Sequence, residues 1–205
     1  MKTQLNFPLS LVFLLGFLLA FLAVNAQPIP VSATAFEPTP RSPYGSPNPD
    51  APAAIRQFSP MIGTCDCESK RRKKDGEWEA AVPMTWRFKY ILNGHAVQDE
   101  VWEADRYATS IRQYESDSAR WVITYFSDPG VTAQPGVWTG GRQGDSLVFR
   151  KPYTPPNGMQ GASTLIFHQM TDAGFHWDGI WISDDGNATY PFWEIRCKKR
   201  HAEGG

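Results

Sequence analysis

The chain has 205 residues, a formal net charge of −1 and 41% hydrophobic residues, with 17 prolines, 17 glycines and eight tryptophans. So balanced a charge leaves no electrostatic footprint for nucleic acid, and no nucleic-acid partner is expected. The portion after the first 57 residues is long enough to bury a core without depending on disulfides.

Residues 1–26 read as a secretory signal peptide. Lys2 gives a short positive start, an apolar run ends at Val24, and Val24-Asn25-Ala26 precedes a cut before Gln27. The run is short for a spanning helix, so no stable membrane span is expected after cleavage; a retained N-terminal anchor is the alternative. Export to the periplasm or the cell exterior follows from this reading. Residues 27–57 are rich in Pro, Ala and Ser and read as a disordered linker. The domain is expected over 58–200, with a disordered tail at 201–205.

Within 58–200 turn signals recur every 8 to 14 residues and no helical period intervenes. Strands are expected near 61–69, 84–92, 95–103, 107–115, 119–127, 137–141, 145–151, 162–170, 174–183 and 190–199. The first strand leads into the basic run Lys70–Lys74, read as a solvated hairpin loop before Asp75-Gly76. The segment Trp86–Trp102 is the clearest hairpin. Trp86, Phe88 and Tyr90 alternate with Arg87 and Lys89 at period two. Asn93-Gly94 supplies two residues suited to a tight type I′ turn. The returning strand is unusually polar, carrying Gln98 and Asp99 as well as Trp102.

Short loops between sequence neighbours favour an antiparallel meander. Its edges are removed only if the first strand meets the last, which makes a single up-and-down β-barrel of about ten strands the expected fold. A β-sandwich is the runner-up. Closure would bring Cys197, near the end of the last strand, opposite Cys65 or Cys67 in the first. A disulfide from Cys197 to one of these two is expected, the third cysteine staying free. A Cys-x-Cys pair with one distant cysteine is a poor zinc signature, and no metal or other cofactor is expected.

Candidate ligand contacts are Trp86, Phe88, Tyr90, Gln98, Asp99, Trp102, Arg112, Tyr114, Trp121, His176 and Trp177. The aromatics would line an apolar cavity, or simply fill the core. If Ile111 faces out, Arg112 points inward and must be paired, with Asp99, Glu100 or a ligand carboxylate. His95 and His176 are candidate general bases. No nucleophile elbow, zinc-protease motif or phosphate loop is present. Asn187-Ala188-Thr189 is a glycosylation sequon that also serves as a plain turn.

The order of these features resembles an uncharacterised bacterial family, a domain of unknown function with a lipocalin-like (calycin) β-barrel. The stretches Asn93–Glu100 and Thr109–Tyr114 carry the likeness, with Met61–Thr64, Gly140-Gly141 and Phe175-x-Trp177. The resemblance implies the barrel fold and brings no activity, ligand or catalytic residues. Haem-binding calycin-like barrels open with G-x-W-x-G-x-G; Gly63-Thr64-Cys65-Asp66-Cys67 lacks the tryptophan and later glycines, which argues against haem. The expected function is therefore an exported barrel holding a small apolar or amphipathic ligand. The alternatives are an isomerase- or cyclase-type enzyme using a histidine or carboxylate, and an interaction domain with a filled barrel.

Overall fold

The structure is a computed structural model that describes residues 34–128, 130 and 134–200. The expected signal peptide, the first part of the expected linker and the tail at 201–205 lie outside the described residues. The chain divides after Thr34, and the barrel belongs to the unit that follows.

Ten strands follow one another: β1 (Gly63–Arg71), β2 (Val82–Ile91), β3 (Ala96–Glu103), β4 (Arg106–Glu115), β5 (Arg120–Asp128), β6 (Gly136–Gln143), β7 (Ser146–Pro152), β8 (Gly161–Thr171), β9 (Gly174–Ser183) and β10 (Thr189–Lys199). Each pairs antiparallel with its sequence neighbours, and β1 pairs with β10 to close the barrel. Closure removes both sheet edges, so no row of backbone donors is left unpaired. Period-two alternation sets the faces. Along β2, Met84, Trp86, Phe88 and Tyr90 are buried while Thr85, Arg87 and Lys89 are not.

The β1–β10 register sets Cys67 opposite Cys197, and the two form a disulfide with Cα atoms 4.1 Å apart. Cys65 faces the same interior but lies across from Lys199, so it remains a free, buried thiol. Burial pushes that thiol up to about 11.

Two features depart from the sequence expectation. The Asn93-Gly94 turn is a four-residue loop, since pairing ends at Ile91↔Ala96 and Leu92, Asn93 and Gly94 all have positive φ. The segment before residue 58 explains why. Phe36 N donates to Asn93 Oδ1 (3.1 Å), Asn48 Nδ2 donates to the Asn93 carbonyl (3.1 Å), and Asn93 N donates to Glu37. Tyr90 N donates to the Tyr44 carbonyl at 2.9 Å. The loop therefore opens to receive a strap.

That strap is the second departure. Residues 35–57, expected as linker, are fastened to the barrel by these bonds, and the domain begins upstream of residue 58. A 3₁₀ segment, Ala53–Met61, follows and plugs one end of the barrel. Its period of three puts Ile55, Phe58 and Met61 on one side, and all three are fully buried. Phe58 packs edge-on against Trp121 at 4.8 Å and Phe167 at 6.1 Å.

Candidate ligand-binding site

Above the plug the barrel interior is an aromatic box. Trp86 lies 5.1 Å from Phe88, 5.8 Å from Phe167 and 5.5 Å from Phe175, and Trp177 stacks edge-on against Trp193 at 5.2 Å. These residues alternate on β2, β8, β9 and β10, so the pleat aims all of them at one axis.

One ion pair interrupts this apolar wall. Arg112 on β4 donates from Nη2 to Asp99 Oδ2 on β3 at 2.8 Å, both side chains being 3% exposed. Asp99 is otherwise well supplied: Trp86 Nε1 donates to Oδ2 (2.8 Å) and Ser110 N to Oδ1 (2.5 Å). Arg112 is not. Its Nε and Nη1 are buried without a hydrogen-bond partner among the described residues. Its guanidinium carbon lies 5.1–5.7 Å from the ring centres of Phe88, Phe58 and Phe167, whose negative faces attract the cation. A guanidinium with donors left over beside a cavity has the chemistry to bond an acceptor there.

Arg112, Asp99 and Ser110 form one side of a cavity of about 160 Å³. Trp86, Trp138, Trp177 and Trp193 line other sides, with Ile123 and Leu165 between them. Gly179 makes room: a Cβ there would stand 2.7 Å from the Phe192 ring. At the end away from the plug, Trp138, Ser163 and Phe192 line both this cavity and a larger groove of about 750 Å³. At the same end Arg71 forks onto Glu103 (3.0 and 2.6 Å). Burial pushes the Glu103 carboxyl up, but the hydrogen bonds from Arg71 and Ser69 outweigh it and hold the group below its ordinary range.

The expected contact residues divide three ways. Trp86, Asp99, Arg112 and Trp177 line the cavity. Phe88, Tyr90, Tyr114 and Trp121 point inward but belong to the plugged end: Tyr90 OH bonds Ser59 (2.9 Å), Trp121 Nε1 donates to Gln57 (3.0 Å), and Tyr114 packs on Trp121 at 5.5 Å. Gln98, Trp102 and His176 are corrections, because register turns them to the outer face. Gln98 donates to Thr109 Oγ1, and Trp102 lies under Arg87 at 4.9 Å. His176 sits beside His168 and Arg196. Burial and the Arg196 charge hold its imidazole below the ordinary histidine range.

The residues missed by sequence reasoning are the plug and the mouth. Phe58 packs against Arg112 from the plug, and Trp138, Phe192 and Trp193 line the cavity. The parity of β6 and β10 was a usable signal for Trp138 and Trp193, while the β-bulge between Pro191 and Trp193 hid Phe192. The general-base reading finds no support in position. His95 is exposed in the hairpin loop, and the one histidine–carboxylate pair among the described residues, His168 Nε2 to Asp178 Oδ2 at 2.7 Å, lies outside the barrel.

The geometry defines a class: a closed, plugged, ten-stranded antiparallel barrel with a buried ion pair inside. No family model and no curated protein matches the chain. Among solved structures it is similar to Rv2717c from M. tuberculosis (TM-score 0.49, 9% identity, covering 74% of this chain and 100% of that one). It is also similar to the S-type phycobiliprotein lyase CPES from Guillardia theta (TM-score 0.45, 11% identity, 71% and 92% covered). A protein of unknown function from the DUF3598 family of Nostoc punctiforme PCC 73102 matches at a TM-score of 0.24 and 6% identity, with 73% and 100% covered.

Proposed function

We propose that this is an exported binding protein that takes a small, largely apolar ligand into the barrel, with Arg112 as its polar anchor. The observation that carries the reading is the pair of unsatisfied Arg112 donors in a cavity walled by aromatics. A purely structural arginine in this position would have its nitrogens paired, since an unmet buried donor costs about 1–3 kcal/mol. A ligand carbonyl, hydroxyl or carboxylate offsets that cost when bound. Export is supported by the signal-like residues 1–26 and by the Cys67–Cys197 disulfide, which persists in an oxidising compartment.

The reading is tested on the full-length exported protein. Its organic-solvent extract is analysed by mass spectrometry for co-purified small molecules, and tryptophan fluorescence is titrated with fatty acids and with haem. Four tryptophans line the cavity, so a bound apolar molecule quenches them. No bound species and no quenching would sink the proposal.

A further inference from the structure

We propose that the ligand is an amphipathic organic anion: its largely apolar part, with a neutral acceptor for Arg112, enters the barrel, and its acidic group stays at the mouth against Lys74 and Lys151. This deepens the ligand-binding reading and rests on it.

Volume comes first. The interior cavity of about 160 Å³ is close to the roughly 150 Å³ of an apolar cavity that takes up benzene. It falls short of the roughly 300–1,000 Å³ of pockets that enclose whole small ligands. A ligand that reaches Arg112 therefore places about one ring, or an equivalent aliphatic stretch, inside. The rest continues into the groove of about 750 Å³, which shares Trp138, Ser163 and Phe192 with the cavity.

Groove chemistry says what that remainder is. Trp181, Tyr153 and Tyr190 give it flat apolar walls, and Lys74 and Lys151 give it charge. Lys151 Nζ stands 4.6 Å over the ring of Trp138, the residue at the junction of the two spaces. Neither lysine makes an ion pair among the described residues. No carboxylate lines the groove, and Asp99, already bonded to Arg112, is the one carboxylate lining the cavity. Lys74, Arg106, Arg112 and Lys151 are thus four cations against one anion, a formal +3 along the path. Low-dielectric aromatic walls focus such a field toward an incoming anion.

Two probes share a ring system and differ in charge: 8-anilinonaphthalene-1-sulfonate, an anion, and N-phenyl-1-naphthylamine, which is neutral. Each is titrated by fluorescence into the full-length protein, into K74Q/K151Q and into K74R/K151R. The sulfonate should bind about fivefold or more weakly to the glutamine variant, within the range of two partly exposed ion pairs. Near-native binding to the arginine variant is expected, and a further loss with added salt. The neutral probe should change by less than about twofold. Equal losses for both probes, or no loss for the sulfonate, would overturn the anionic assignment while leaving the ligand-binding reading standing. Failure of both probes to bind the native protein would overturn both.

Discussion

Replacing Arg112 by methionine tests the interior ion pair most sharply. The substitution keeps the stem's volume but leaves Asp99 buried with only the Trp86 and Ser110 donors. Breaking a buried pair from one side costs about 3–5 kcal/mol, because the surviving charge has lost its counter-charge. The double variant D99N/R112M removes the charge from both sides, and the single amide oxygen of the asparagine can still accept from one of Trp86 Nε1 and Ser110 N, which bond different oxygens of Asp99. Its cost is expected below about 2 kcal/mol, well under that of Arg112→Met alone. Denaturant unfolding followed by tryptophan fluorescence measures all three proteins, with Asp99→Asn completing the cycle. A single-variant cost under about 1 kcal/mol, or a double variant as unstable as the sum of the singles, would refute the pairing argument.

Three further outcomes follow from the same geometry. The unreduced protein should show one thiol to Ellman's reagent in denaturant and none when folded at pH 8, since burial holds Cys65 near 11 and Cys67 is bonded to Cys197; three thiols in the denatured, unreduced exported protein would refute the disulfide. Glu103→Gln should lower stability at pH 7 by about 1–2 kcal/mol. The native carboxyl is held below its ordinary 4.5, so its contribution is present above that pH and lost as pH falls through the folded value. The gap between native protein and variant should therefore close in acid below 4.5 and stay constant above it, which unfolding midpoints from pH 3 to 7 will show. Gly94→Ala should destabilise by about 1–2 kcal/mol from its φ of +77° alone. It should also loosen the strap, because the new Cβ would stand 2.4 Å from Asn48 N, and amide exchange at Asn48 and Tyr90 reads that loosening.

The barrel was legible because strands write their faces at period two and their ends in Gly, Asp and Asn. Antiparallel closure and the choice of Cys197 as one disulfide partner followed from that reading, and Asp99 was one of the partners it offered Arg112. Face errors arose where residue type outweighed parity. Phe88↔Asp99 and Trp86↔Val101 turn Asp99 inward, which sends Gln98 and Trp102 out. Likewise Phe175 and Trp177 inside require His176 outside. The plug was hidden for a different reason. A Pro- and Ala-rich stretch reads as unable to bury surface, yet Ile55, Phe58 and Met61 recur at spacing three, the 3₁₀ period, and a barrel end needs only a few large side chains to close it. The strap's bonds to Asn93 join residues 45 to 57 positions apart, and no local pattern announces such partners.

A ligand held as proposed must enter the interior cavity, so filling that cavity must exclude it. Ala108 lines that cavity on β4, so Ala108→Phe fills it from the wall without touching Arg112, Lys74 or Lys151. Overpacking costs about 1–3 kcal/mol, so a folded variant is expected, as circular dichroism and cooperative unfolding would verify. Titrating N-phenyl-1-naphthylamine into native protein and variant is the direct measurement. One site is expected on the native barrel, with a loss of about tenfold or more in folded Ala108→Phe. Native affinity in the filled barrel would contradict binding in the cavity.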